Sequence, residues 1–166
     1  MSLRPILALA ALLGALPLAA HADENYFGYT YCAETLPAGA NEAYFWWTHR
    51  TGKGKGDFSA DDIQLEYEHG WTDHFQTSVY LTGRAFDYSG GAIEDEETGE
   101  AESLDRNLDF DGVKFEMKWN LRSAERDGYG LALYLEPEYS TLHRPDGERF
   151  KEVGIESKLI LQKNFL

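Results

Sequence analysis

Cysteine and basic residues are scarce in this chain of 166 residues. Cys32 is the only cysteine, so no disulfide can form within the chain. Against 29 aspartates and glutamates there are 15 lysines and arginines, which gives a net charge of −14. Binding of nucleic-acid phosphates depends on a basic surface. The composition therefore argues against nucleic acid as a partner.

Long apolar runs are missing beyond the N-terminal region. Arg4, the apolar run Ile6–Leu18 and the motif Ala20–Ala22 follow one another in the order of a cleaved export signal. The run is short for a membrane-spanning helix. We therefore expect residues 1–22 to be a signal peptide and the mature chain to begin near Asp23. A mature chain in a membrane would have to cross as strands, because only helices and closed barrels satisfy backbone polar groups in hydrocarbon.

What the chain has instead is a strict alternation of side-chain polarity. From Val113 to Leu121 the odd-numbered residues are apolar, whereas the even-numbered ones are Lys, Glu, Lys and Asn. Successive side chains of a strand point to opposite faces, so this segment has one apolar and one charged face. The same parity holds around residues 63–68, 74–88, 128–141 and 152–161. The longer runs match the about 9–11 residues of a membrane-crossing strand rather than the about 5–6 of an ordinary one.

The pattern predicts an all-β fold, an antiparallel transmembrane β-barrel built as a meander of hairpins from residues 23–166. Connections alternate in length, with short turns at 71–73 and 123–127 and longer hydrophilic ones at 52–57, 89–108 and 143–149. Outer-membrane barrels place short turns in the periplasm and long loops outside. This rule predicts a first strand at 43–51 that runs outward and a last strand near 153–162 that returns. The residues Trp71, Phe75, Trp119 and Tyr129 flank the short turns and are interpreted as an aromatic girdle at the periplasmic interface.

Odd or even position in the sequence also assigns each side chain to one of the two faces of the predicted barrel wall. The predicted lipid-facing residues are Val79, Leu81, Val113, Phe115, Met117, Leu131, Leu133, Leu135, Ile155 and Leu159. The predicted lumen-facing residues are Arg50, Arg84, Lys114, Glu116, Lys118, Glu136, Glu138, Glu156 and Lys158. Lumen charges either bias ion passage through a water-filled pore or pair between adjacent strands and close the lumen. The sequence leaves both alternatives open.

Six predicted strands are fewer than the about eight of the smallest known transmembrane barrels. The sequence is therefore interpreted either as an incomplete N-terminal portion of a larger barrel or as one contributor to a barrel that several chains share. Residues 23–41 precede the first strand and form either a periplasmic segment or an extra strand. Pro137 lacks an amide hydrogen, which predicts a bulge or a strand end at that position.

The sequence contains few candidate metal-binding or catalytic residues. The acidic loop 94–111 makes Glu94, Asp95, Glu96 and Glu97 candidate ligands for Ca²⁺ or Mg²⁺, although such a loop is more often simply solvated. The histidines are scattered, and no nucleophile elbow, paired-histidine zinc motif or phosphate-binding glycine loop occurs. We therefore expect no cofactor and no enzyme activity. An outer-membrane lipid-modifying enzyme stays as an alternative.

The mature N-terminal region resembles a known family. The resemblance is carried by Tyr26–Gly39, followed by Glu42–Tyr44 and Arg50–Gly52, and Leu159–Phe165 is similar to the end of an internal strand. The family is an uncharacterised one of Gram-negative outer-membrane β-barrel proteins. Cys32 stands where its pattern has glycine. The resemblance implies a barrel longer than these residues can close, with no assigned substrate or catalytic residue.

These expectations combine into one functional hypothesis. The chain is predicted to be an outer-membrane β-barrel protein of a Gram-negative bacterium, with a structural role or a passive pore and transport role. Its expected partners are outer-membrane lipid, lipopolysaccharide and the barrel-insertion machinery, and an oligomer is compatible with the strand count. The competing hypothesis is a soluble periplasmic β-barrel that binds an apolar ligand. The two differ in whether Leu131, Leu133 and Leu135 face lipid or a core.

Overall fold

The computed structural model describes residues 31–94, 98–143 and 146–165. The predicted signal peptide 1–22 and residues 23–30 lie outside the described residues. Within the described ranges the chain forms β1 (Asn41–Thr51), β2 (Asp57–Thr72), β3 (Phe75–Ser89), β4 (Leu104–Arg122), β5 (Gly130–Leu142), β6 (Arg149–Gln162) and the one-turn helix α1 (Ala124–Asp127). The strands are 11 to 19 residues long, well beyond the ordinary length of about 5–6 residues. No helix among these residues has the length and apolar content that a membrane crossing requires.

The strands form one antiparallel sheet in which each strand pairs with the next, from β1 to β6. The predicted all-β meander is therefore confirmed. In the described part of the chain the sheet is open, because its edge strands β1 and β6 are not paired with each other. Odd-numbered residues pair with odd-numbered ones across most of the sheet, as in the row Leu65, Leu81 and Val113. Each face therefore keeps one parity from strand to strand.

Two local predictions about strands β4 and β5 are wrong. The predicted loop to residue 108 ends earlier, because β4 begins at Leu104. A register shift at Gly83 inserts one extra residue, Asp111, into β4, and the parity of that strand changes there. Pro137 lies inside β5 at neither a bulge nor an end. The pairs between β4 and β5 stop at Lys114 and resume at Met117 in the same register, so the ladder is interrupted beside the proline without being shifted.

The sheet buries polar side chains on one face and exposes apolar side chains on the other, which is the reverse of a half-buried sheet in a soluble protein. We call the face of the even-numbered strand residues the polar face, and Gln76 and Lys118 on it are 0% and 1% exposed. The other face, which we call the apolar face, carries Leu81 and Val153 at 50% and 77% exposure. The sheet is therefore curled around its charged side chains and turns its apolar side chains outward.

Residues 31–40, which we call the strap, cross the polar face at one end of the sheet. They form no strand, and residues 23–30, which belong to the predicted periplasmic segment or extra strand, lie outside the described residues. Ala33 donates its amide hydrogen to Gln162 Oε1 on β6 at 2.7 Å, and Leu36 donates to Gln76 Oε1 on β3 at 2.7 Å. A side chain at Gly70 would place its Cβ 2.3 Å from the Pro37 carbonyl oxygen, so glycine is required where the strap meets β2.

The opposite end of the polar face is closed by apolar side chains. Phe58, Ala60, Phe86, Tyr88 and Ala92 form a buried cluster at the far ends of β2 and β3. The connection between β5 and β6 packs on this cluster, and a Cβ at Gly147 would lie 2.4 Å from the Phe86 ring. The polar face is thus covered at both ends, by the strap and by this outer cluster.

Candidate functional site

The polar face carries ion pairs between neighbouring strands. Arg84 on β3 lies 3.0 Å from Asp62 on β2 and 3.2 Å from Asp111 on β4. Lys114 on β4 lies 3.1 Å from Glu136 on β5. Removing one partner of a buried pair typically costs about 3–5 kcal/mol, because the other charge stays behind without compensation. These pairs therefore fix the strands to one another from the concave side.

A group of three carboxylates lies deeper on the same face. Glu66, Glu68 and Glu116 are buried, and one ligand atom from each lies within 4.8 Å of the others. The Trp46 indole donates to Glu66 at 2.6 Å, and the Tyr80 hydroxyl donates to Glu116 at 2.5 Å. Carboxylate oxygens are the ligands that hard cations prefer. These are the described residues whose chemistry and spacing would suit a metal ion.

The strap is tied into this network by hydrogen bonds and aromatic contacts. The Glu34 carboxylate accepts hydrogen bonds from the Ser123 hydroxyl at 3.0 Å and from the Ala124 amide at 2.8 Å, at the start of α1. The Asn120 side chain donates to the Ala33 carbonyl oxygen at 2.6 Å. The interface therefore consists mainly of single hydrogen bonds from side chains, whereas the strands are joined by continuous backbone ladders.

A cavity of about 310 Å³ lies on the polar face between the strap and the outer cluster. Its charged lining residues are Arg50, Asp62, Arg84, Asp111, Lys114, Glu138 and Glu152. Most of these belong to the ion pairs described above, and Arg50 lies 2.9 Å from Asp62. The volume is at the lower end of the about 300–1,000 Å³ of ligand pockets, and a charged lining suits water or a polar solute.

The apolar face has recognisable limits along the strands. At one limit the Phe75 and Trp119 rings stack with centroids 4.9 Å apart. At the other limit the Trp47 indole donates to Asp61 at 2.8 Å, and the His49 ring lies at the same distance from that carboxyl. These two contacts hold the pKa of Asp61 below its usual value. A charged row thus ends the apolar face on β1 and β2.

The outer cluster lies beyond this row. Its side chains are apolar, although they lie on the face that is polar in the rest of the sheet. Burial raises the pKa of the Tyr88 hydroxyl to about 12, and the nearby Glu102 carboxylate adds to the rise. This cluster was not predicted from the sequence, although Phe58, Phe86 and Tyr88 at even-numbered positions indicate a reversal of polarity there.

The residues predicted from parity divide between the two faces as follows. Glu116, Lys118 and Glu136 are buried on the polar face, whereas Arg50, Arg84, Lys114, Glu138 and Lys158 are partly buried and Glu156 is exposed at the sheet edge. On the apolar face, Val79, Leu81, Val113, Phe115, Leu133, Ile155 and Leu159 are exposed, and Met117, Leu131 and Leu135 are half-buried. Trp71 and Tyr129 are exposed, while Phe75 and Trp119 are half-buried against each other.

The predicted acidic-loop ligands are not brought into a described cluster. Glu94 is exposed and pairs through its backbone with Ala101, while Asp95, Glu96 and Glu97 lie outside the described residues. The strap anchors Glu34, Gln76 and Asn120 were not identified from the sequence, because nothing in the local pattern links residues so far apart.

Comparison with known proteins places the chain in a family. Residues 19–166 match the model of a family described as a family of unknown function (DUF6662). No curated protein and no solved structure matches the chain significantly.

Proposed function

The chain belongs to the DUF6662 family of unknown function, and we propose that it is an outer-membrane β-barrel protein with a structural role. In this proposal the strands form a membrane wall, the apolar face meets lipid and the polar face meets the lumen. The observation that carries the proposal is the inverted burial of the sheet. Gln76, Glu116 and Lys118 are buried while Leu81 and Leu133 are exposed. In water, this arrangement would leave a broad apolar surface uncovered.

The height of the apolar face fits a bilayer. On β2 the apolar face extends from Trp71 to Asp61, which are ten residue positions apart. Ten steps of about 3.3 Å give about 33 Å along the strand, and a tilt of about 45° reduces this to about 23 Å across the membrane. Outer-membrane barrels carry an apolar band about 25 Å tall. The aromatic residues at the Trp71 end match the girdle expected at an interface.

Two features favour this assignment over a soluble periplasmic binding protein. Leu131, Leu133 and Leu135 would have to pack in a core in that alternative, yet they lie on the exposed side of β5, and Leu133 is 44% exposed. Seven of the sixteen residues that line the described cavity are charged, which does not suit an apolar ligand.

A structural role is favoured over an open pore by what covers the polar face. The strap covers one end, the outer cluster covers the other, and ion pairs such as Arg84 with Asp62 and Asp111 occupy the space between. Passive transport is the second candidate, and the charged cavity supports it. Planar-bilayer recordings separate the two, because the structural role predicts a folded barrel without steady conductance and the pore predicts a stable, salt-dependent current.

The membrane assignment itself is tested by the accessibility of two neighbouring side chains. In a Cys32→Ser background, Leu133→Cys is expected to react with a lipid-soluble thiol reagent and not with a charged, membrane-impermeant one. Tyr134→Cys, one residue away on the polar face, serves as the matched control and is expected to escape the lipid-soluble reagent. If Leu133→Cys in intact outer membranes reacts with the charged reagent as readily as with the lipid-soluble one, the proposal is contradicted.

The export route is tested on the wild-type chain. Cell fractionation is expected to recover the protein with the outer membrane, in a form whose gel mobility changes on boiling. Its N-terminus is expected near Asp23 after removal of the signal peptide. Recovery in the periplasmic wash, with identical mobility before and after boiling, would refute the proposal.

A further inference from the structure

We propose that the two free edges of the sheet pair with those of a second copy of this chain, so that β1 of each copy joins β6 of the other. This inference rests on the proposed function, because only a lipid environment makes an unpaired edge so costly. In hydrocarbon each unsatisfied backbone group costs several kcal/mol, and an open edge is not tolerated there. Within the described residues, both outer strands leave one row of backbone groups without a strand partner.

The exposure of side chains points to a missing neighbour at these edges. On the apolar face of β6, Val153 and Leu161 are 77% and 73% exposed, whereas Val113 and Phe115 in the middle of the sheet are each 40% exposed. On the polar face, Glu156 of β6 is exposed while Glu136 of the adjacent strand is buried. A strand laid beside β6 would cover both faces of it.

Strands β1 and β6 contain no proline, the residue that most directly blocks pairing at a sheet edge. Soluble proteins blunt edge strands with proline, bulges or inward-pointing charges. Strand β1 pairs with β2 without a register shift, and the one shift between β5 and β6 lies near the start of β6, between Arg149 and Glu152. They are 11 and 14 residues long, so each offers the other a ladder of similar length.

The side chains of the two edges are complementary in one antiparallel register. With Arg50 opposite Glu152, the polar faces coincide and a basic residue meets an acidic one. The same register sets Trp47 opposite Ile155 and Ala43 on the apolar face opposite Leu159. Glu152 would also give Arg50 a further hydrogen-bond acceptor. The buried Nε of Arg50 has no hydrogen-bond partner among the described residues, although its terminal nitrogen lies 2.9 Å from Asp62.

A second copy satisfies the geometry better than closure of one chain on itself. The six described strands fall below the about eight of the smallest transmembrane barrels, whereas the described strands of two copies number twelve, an even number within the known range. Strand β1 runs away from the strap and β6 runs toward it, so the joined edges are antiparallel, as in the rest of the sheet. A two-fold axis along the barrel then closes both seams with identical contacts.

The seam is tested by disulfide formation in the membrane. In a Cys32→Ser background, Arg50→Cys combined with Glu152→Cys is expected to give a covalent dimer on a non-reducing gel. Residues directly opposite on antiparallel strands have Cβ atoms about 4.5–5.5 Å apart, close to disulfide reach. The pair Trp47→Cys with Ile155→Cys repeats the test with the charged residues intact.

The matched control combines Arg50→Cys with Lys158→Cys, which share the polar face but lie out of register, and no link is expected. A linked monomer of altered mobility from either in-register pair would mean that the chain closes on itself and would overturn the proposal. An absence of any link would overturn it as well. Heat-modifiable mobility of the same variants distinguishes the outcomes, because an unlinked but membrane-embedded protein contradicts the dimer and leaves the proposed function intact.

Discussion

A charge placed on the apolar face provides the most direct energetic test of the membrane assignment. Leu81 lies in the middle of β3, between Leu65 and Val113, and half of its surface is exposed. If that half meets lipid, Leu81→Arg forfeits about 1 kcal/mol of apolar transfer and adds about 2–4 kcal/mol for a charge near the midplane. The expected loss in the free energy of unfolding is therefore about 3–5 kcal/mol. If Leu81 meets water, the change stays within about 0.5 kcal/mol.

The assay is equilibrium unfolding in urea from lipid vesicles, followed by tryptophan fluorescence. Leu108→Arg is the matched control, because Leu108 has a similar exposure of 58% but lies near the outer end of β4. A charge near the interface costs only about 0–1 kcal/mol. Equal stabilities of the two variants, both close to wild type, would refute the lipid-facing assignment.

Two further predictions concern the covered ends of the polar face. Asn120→Ala removes a hydrogen bond of about 1.4 kcal/mol to the strap, so alkylation of the buried Cys32 by a bulky maleimide is expected to be about tenfold faster. Asn107→Ala, at an exposed position of β4, is the control. An unchanged rate would mean that the strap does not open as a separate unit. Gly147→Ala would place a Cβ against the Phe86 ring, at a residue whose backbone φ is 79°. The free energy of unfolding is expected to fall by about 2–4 kcal/mol. Gly99→Ala, at a φ of 70° in open space, is expected to lose only about 1–2 kcal/mol, and equal losses would contradict the packing argument.

The strands were predictable because their periodicity is local. The alternation from Val113 to Leu121 lies within β4, and the short turns near 71–73 and 123–127 lie where the structure has them, with α1 in the second. Strand ends were less predictable. The register shift at Gly83 changes the parity of β4 until a second shift, between Arg84 and Phe86, restores it. Leu108 and Phe110 therefore point outward from even-numbered positions and interrupt the alternation that would reveal the strand.

The parts of the candidate site that depend on distant residues could not be predicted from the sequence. Parity places Glu116 and Glu136 on one face, and the structure shows both buried there. Parity does not show that Glu66 approaches Glu116 from two strands away, because that distance depends on how strongly the sheet curls. It also gives no sign that Gln76 accepts a hydrogen bond from the strap, since Gln76 resembles any other polar residue on that face.

The strap has a consequence for the order in which the protein is assembled. Ala33 leaves the ribosome early, yet its hydrogen-bond partner Gln162 lies 129 positions later in the chain. Contacts between such distant positions form late, because loop-closure entropy must be paid before they give any gain. Docking of the strap can therefore be completed only after β6 has paired with β5, which makes it a late step in the folding of the described residues. A chain arrested before β6 pairs would keep its charged polar face open to water on that side.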